Sequence, residues 1–284
     1  MLTRRCGVLG DPIAHSLSPV LHRAAYAELG LDWAYDAHRV ASGGLGAFLD
    51  GLDPEWRGLS LTMPLKREAL PLVDRLSDRA RLAGAVNTVV LEDDGTRSGD
   101  NTDLPGAVAA IRERTTSPLA TAAILGGGAT ATSVGLALAD LGVSLIRLAV
   151  RDAARAEETV TALRAHPAAP EVVVEPLEGG QWSIGPDLRA AGSTVDIVVS
   201  TIPASAQTPE LVAGCADVAA VFDVLYAPWP TPLAASADGR VLVGGLDLLV
   251  HQAALQVELF TGLVAPLSVM REAGERALAA RSAG

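Results

Sequence analysis

Apolar positions along the chain switch repeatedly between a spacing of two and a spacing of three to four. Residues 5–9 and 33–40 read as strands, and helical spacing covers 19–29 and 44–52. A short apolar run at 58–61 ends at Thr62-Met63-Pro64. Helical spacing resumes at 65–70, and 86–91 is strand-like before the turn Glu92-Asp93-Asp94-Gly95-Thr96. Near residue 104 a second series begins. A helix is expected at 104–114, and Ser117-Pro118-Leu119-Ala120-Thr121 reads as a linker. A buried-type strand at 122–125 then runs into three glycines and an apolar helix reaching 141. Strands are expected at 144–150, 172–174, 195–200 and 219–222, with a helix at 155–165, and two helices broken near Pro266 fill 246–284. Strands alternating with helices predict an α/β fold with a parallel, doubly wound sheet. The expected division is a first α/β domain at 1–103, a second at 104–245, and terminal helices from about 246 packing back on the first.

Composition narrows the class. The chain has 284 residues, 49% of them apolar and 19% charged, which suits about two globular domains. Its net charge of −11 argues against a nucleic-acid or anionic-membrane partner, but leaves room for a small anion in a local basic pocket. Cys6 and Cys215 fit no metal spacing and form no disulfide framework. The five histidines, His15, His22, His38, His166 and His251, show no ligand pattern, so no metal is expected. The opening residues lack a signal-peptide apolar stretch, and no run is apolar enough to span a bilayer. The expected location is a reducing cytoplasm.

One count adds chemistry. Of 22 basic residues only Lys66 is a lysine, in a chain that otherwise uses arginine. A lone lysine is either a chance survivor on a helix surface or a position that needs a compact amine. Asparagine occurs only at Asn87 and Asn101, each followed by threonine.

The strand at 122–125 leads into Gly126-Gly127-Gly128-Ala129-Thr130-Ala131. Glycines there permit a tight turn, and the following helix N-terminus offers unpaired N–H groups to a pyrophosphate. This is a variant of the dinucleotide-binding G-x-G-x-x-G/A, with a ligand-free turn as the other reading. The next strand ends in Arg151-Asp152, with Arg155 four residues on. Arginines at that tip suit the 2′-phosphate of NADP, whereas Asp152 would suit the 2′-hydroxyl of NAD. The alternative is two solvated arginines at a helix start.

Four polar motifs lie elsewhere. Ser16 and Ser18 in GDPIAHSLSP either bind a carboxylate with helix N–H groups or serve as a helix cap before Pro19. Thr62 and Lys66 lie in LTMPLK, Asn87 in GAVNTV, and Asp103 in GDNTD. Asp103 is a helix cap or, if it meets Lys66, half of an acid–base pair.

The order GDPIAHSLSP, LTMPLK, GAVNTV, GDNTD, GGGATA, DVLYAPWPTPL, GLDLLVHQA resembles the shikimate dehydrogenase family, from residue 7 to about 262. The resemblance implies an NADP-dependent oxidoreductase that reversibly reduces 3-dehydroshikimate to shikimate on the chorismate route to aromatic amino acids. It implies a substrate domain, a Rossmann-type nucleotide domain, and an active site in the cleft between. It makes Lys66 and Asp103 the catalytic pair, and Ser16 and Ser18 the carboxylate ligands. Thr62, Asn87, Tyr226 and Gln252 become further substrate ligands. The cofactor residues become Gly126, Gly127, Gly128, Ala129, Thr130, Ala131, Arg151 and Arg155, with Thr201 beside the nicotinamide and Gly245 ending a strand. Ser60 stands where the family usually has asparagine, and Val150 and Asp152 replace the neighbours of the family's cofactor arginine. Leu248 replaces a common methionine. The implied state is a monomer or homodimer acting on a small molecule. Two rivals stay open: an NAD-dependent quinate/shikimate dehydrogenase of catabolism, and a metabolite-sensing binding protein without turnover.

Overall fold

A computed structural model of the chain describes residues 3–177, 182 and 195–282; the parts of the expected domains at 1–2, 178–181, 183–194 and 283–284 lie outside the described residues. The chain divides into two units. One runs to Gly106 and resumes at Leu249, and the other is Ala107–Leu248.

In the first unit, the chain runs β1 (Arg5–Gly10), α1 (Ser18–Glu28), β2 (Ala34–Arg39), α2 (Leu45–Asp50), β3 (Trp56–Leu61) and α3 (Leu65–Glu68). It continues through β4 (Arg75–Leu76), α4 (Asp78–Ala83), β5 (Thr88–Leu91), β6 (Arg97–Asp100) and the start of α5 (Asp103–Arg114). The six strands form one sheet in the order β2-β1-β3-β5-β6-β4. β1 pairs in parallel with β2 and β3, whereas β5 runs antiparallel to both β3 and β6. The sheet is therefore mixed, as an α/β domain allows, and the doubly wound parallel arrangement belongs to the second unit. The turn at 92–96 is where the antiparallel pairing arises. Glu92 N–H bonds to the Thr96 carbonyl at 2.9 Å, and Gly95 takes φ +84°, so the chain reverses tightly instead of crossing over. Leu9, Leu59, Leu61, Leu65, Val86 and Val89 share the core beside this sheet.

The second unit holds β7 (Thr121–Leu125), α6 (Ala129–Asp140), β8 (Leu145–Val150), α7 (Glu157–Ala165), β9 (Glu171–Pro176) and β10 (Ile197–Ser200). α8 (Pro209–Gly214), β11 (Ala220–Asp223), α9 (Pro232–Ala235) and β12 (Val241–Val243) complete it. Its sheet is parallel throughout, in the order β12-β11-β10-β7-β8-β9. Strand order reverses between β7 and β10, which puts the dinucleotide crevice of a Rossmann sheet at the carboxyl end of β7. Two last helices follow, α10 (Gly245–Thr261) and α11 (Leu267–Ser282). α10 starts in the second unit and continues into the first, where α11 packs on α1. Gly245 opens α10 two residues after β12, so it does not end the strand as expected.

α1 is fastened to β2 by a buried aromatic stack. The His22 and Tyr35 rings lie 3.9 Å apart with 17° between planes, and His22 Nδ1 donates to the Ser18 carbonyl at 2.9 Å. Burial, partly offset by that bond, lowers the His22 pKa from 6.5 to about 4. Between those values the unfolded chain holds a proton that the folded one does not, so stability falls as pH falls. This group alone is expected to remove about 2–3 kcal/mol between pH 7 and 4.5. Urea melts at the two pH values check it. His22→Phe should shrink the difference by that amount, and an unchanged difference would refute the assignment.

Candidate active site

Lys66 sits on α3, just past the carboxyl end of β3, and Asp103 is the first residue of α5. Lys66 Nζ donates to Asp103 Oδ2 at 2.5 Å, with the two side chains 14% and 8% exposed. The lone lysine is therefore not a surface residue of its helix. Nor is Asp103 spent as a cap. The Leu104 N–H bonds to Asn101 Oδ1 at 3.2 Å, so Asn101 caps the first turn and leaves the neighbouring carboxylate to the lysine. The Lys66 carbonyl accepts from Val86 N–H at 2.8 Å, which ties α3 to the segment carrying Asn87.

Asn87 and Gln252 come together from β5's entrance and from α10. Asn87 Nδ2 lies 2.9 Å from Thr102 Oγ1 and 3.4 Å from Gln252 Oε1, and Thr102 N–H donates to Asn87 Oδ1 at 2.8 Å. Gly106 is needed for this approach, because a Cβ there would stand 2.9 Å from the Gln252 backbone nitrogen. Ser16 and Ser18 lie at the entry to α1, where Ser16 Oγ accepts from Ser18 N–H at 3.3 Å. Ser18 does not cap: α1 has no side-chain cap, and its hydroxyl lies beside the Tyr35 phenol. Arg281 of α11 donates to the His15 carbonyl at 2.8 Å and so pins the serine loop from outside. Thr62 is half-buried past β3, with its N–H bonded to the Leu9 carbonyl at 2.9 Å.

The glycine loop lies at the crevice of the second unit. Gly126 has φ +111°, and a Cβ there would fall 2.3 Å from Thr201 Oγ1. A Cβ on Gly127 would meet Ala156 at 2.8 Å. Gly128 faces open space, has no side-chain cap, and precedes a 12-residue helix with no acidic residue in its first turn. Two glycines thus serve packing and the third opens the helix N-terminus, which fits a pyrophosphate. Ala131 is fully buried, main chain included. Thr159 Oγ1 donates to the Gly127 carbonyl at 2.9 Å and supports the loop from α7. Arg151 and Arg155 are exposed and pair with no acidic group among the described residues, while the Asp152 carboxylate accepts from Ala154 N–H at 3.0 Å. Tyr226 follows β11 in the same unit, half-buried. Gly245 lets α10 start against that loop, since a Cβ would stand 2.4 Å from the Leu225 carbonyl.

Comparison with known proteins decides the family. A profile described as the shikimate dehydrogenase substrate binding domain matches residues 8–89, and one described as the shikimate 5'-dehydrogenase C-terminal domain matches 245–273. The shikimate dehydrogenase (NADP(+)) of Geobacter metallireducens is 34% identical over 278 residues, covering 95% of each chain. The chain belongs to the shikimate dehydrogenase family. Among its solved members, the Mycobacterium tuberculosis shikimate dehydrogenase superposes with a TM-score of 0.83 at 38% identity, covering 98% of this chain and 99% of that one. The Thermus thermophilus shikimate 5-dehydrogenase, solved with NADP(H) and shikimate, gives 0.78 at 30%, covering 96% and 99%. Names and complexes of this kind do not favour the NAD-dependent or the non-catalytic rival.

Within this shikimate dehydrogenase family member, several polar residues beside the site carried no assigned role in the sequence. Asn101, Thr102, Thr88, Gln256 and Thr159 are all buried. Asn101 and Thr102 adjoin Asp103 in a motif already singled out, so their place was signalled. Gln256 had a fainter signal, one helical turn beyond Gln252 on the same face. Among the described residues, no group of three or more His, Cys, Asp or Glu side chains is placed to hold a metal ion.

Proposed function

We propose that the chain is the NADP-dependent shikimate dehydrogenase of the chorismate route, with Lys66 and Asp103 as its catalytic pair. The observation that carries this reading is the 2.5 Å Lys66–Asp103 contact, in a place where Asn101 has relieved Asp103 of capping. NADPH, when bound, supplies the hydride. Lys66 commits one N–H to Asp103 and keeps others for the substrate's C3 carbonyl oxygen, where negative charge develops. An ammonium there stabilises the alkoxide and gives it a proton. Asp103 holds the amine with Oδ2 and leaves Oδ1 for the hydroxyl next to that carbonyl. Ser16 and Ser18 receive the substrate carboxylate, and Thr62, Asn87, Gln252 and Tyr226 its remaining oxygens.

For the cofactor, Gly126 to Ala131 take the pyrophosphate, Arg151 and Arg155 the 2′-phosphate, and Thr201 and Gly245 the nicotinamide end. Asp152 is held by its own turn, which supports arginine as the reader of the ribose. We also place the enzyme in the cytoplasm, where the buried thiols Cys6 and Cys215 stay free, and as a monomer or homodimer. Sedimentation tests the latter.

Shikimate oxidation with NADP⁺ and with NAD⁺, and quinate oxidation with both, test the function. Shikimate with NADP⁺ should be preferred, and NAD⁺ with quinate as the best pair would overturn the reading. Arg151→Ala should raise KM for NADP⁺ about tenfold to a hundredfold, the scale of one lost charged hydrogen-bond partner. KM for NAD⁺ should move little. Equal losses with both cofactors would show that Arg151 does not read the 2′-phosphate.

A further inference from the structure

Buried hydrogen bonds run from β2 to Asn87, and two backbone groups fix the direction of every proton in the series. Thr102 N–H can only donate, and it meets Asn87 Oδ1 at 2.8 Å. The carboxamide is thereby turned with its oxygen inward. Thr88 Oγ1 lies 2.7 Å from the same oxygen, so the Thr88 hydroxyl donates to it. Gln256 Nε2 stands 3.0 Å from Thr88 Oγ1 and 3.2 Å from the Asn87 carbonyl, which can only accept. Gln256 is thus oriented independently, with Nε2 toward Asn87 and Oε1 toward β3. Ser60 Oγ, 2.7 Å from Oε1, must donate to it, and the Tyr35 phenol, 2.6 Å from Ser60 Oγ, must donate to Ser60. Tyr35, Ser60, Gln256, Thr88 and Asn87 are each 4% exposed or less, so no bulk water competes for these groups.

We propose that Gln256 is a positioning residue: by presenting N–H to Thr88 it commits the Thr88 hydroxyl to Asn87 Oδ1, so that Asn87 meets the substrate only as an N–H donor. The inference rests on the reading of Asn87 as a substrate ligand. One amide proton of Asn87 is held by Thr102 Oγ1 at 2.9 Å. The other has, among the described residues, only Gln252 Oε1 at 3.4 Å, a long bond that a substrate oxygen can displace. The site there favours an acceptor oxygen. Ser60, where the family resemblance expects asparagine, becomes a link that needs the longer amide of Gln256 to reach Thr88.

The test uses Gln256→Glu, which keeps the shape and removes both N–H donors, and Thr88→Val, which removes the hydroxyl at nearly constant volume. In either variant KM for shikimate should rise about tenfold to a hundredfold, with kcat and KM for NADP⁺ changed much less. The double variant should lose no more than the worse single one, because both cut the same series. A KM within about twofold of the parent in folded protein, or fully additive losses, would overturn the proposal. If Gln256→Glu does not fold, Thr88→Val alone carries the same comparison. The side-chain amide resonances of Asn87, one of only two asparagines, give a readout without substrate. They should shift in both variants, and unmoved resonances would overturn the relay even where shikimate binds. A parent protein that does not bind shikimate would instead overturn the functional reading, and the amide shifts would still decide the relay.

Discussion

Replacing Lys66 with alanine is expected to lower kcat by about 10³- to 10⁵-fold, the scale of losing a general acid together with an oxyanion donor. KM for shikimate should rise far less, because the amine meets full negative charge only in the transition state. Fluorescence titration should show NADPH binding retained. Lys66→Arg asks whether charge alone is enough. Arginine is the basic residue this chain uses everywhere else. Its planar fork is larger than an ammonium and does not give up a proton near neutral pH. Nζ stands 2.5 Å from Asp103 Oδ2 in a place where the lysine side chain is 14% exposed, so a guanidinium would have to displace its surroundings. Poor rescue is expected. Turnover near the parent's in the arginine variant would show that the lone lysine is a compositional accident and that another group donates the proton.

The part of the fold that lay open in the sequence was the part written in apolar runs. Ala122-Ala123-Ile124-Leu125 is buried on both faces, and such a run followed by three glycines has few other readings. β6 was hidden for the opposite reason. Arg97-Ser98-Gly99-Asp100 carries no apolar residue, and it is a strand because β5 supplies the ladder and Gly99 lets Val73, Val86 and Leu76 close over it. α4 was hidden because six residues are too few to show a period, although Ser77 caps it and Gly84 ends it with φ +57°. The site divides in the same way. Rarity drew attention to Lys66, and a motif to Asp103, but their meeting across 37 residues follows from the sheet and not from spacing. Gln256 was only faintly signalled as chemistry, by its place one turn beyond Gln252, and its role emerges once its partners Ser60 and Thr88 are known.

Asp103→Asn is the sharper probe of the pair, because the fold should tolerate it. The first turn of α5 is capped by Asn101, so the change removes charge without removing a cap. The melting temperature should move by only a few degrees, and kcat/KM should fall about 10²- to 10³-fold. Two losses combine in that figure. An amide oxygen still accepts from Lys66 but no longer supplies the counter-charge that holds the ammonium in place. The amide's NH2 also offers a donor where the substrate hydroxyl needs an acceptor. If the two residues act as one unit, Lys66→Ala combined with Asp103→Asn should be little worse than Lys66→Ala alone, since orienting an absent amine gains nothing. A double variant whose loss equals the product of the two single losses would mean that Asp103 works independently of the lysine. Its role would then be to bind the hydroxyl, and the 2.5 Å contact would be a resting-state ion pair with no share in the chemistry.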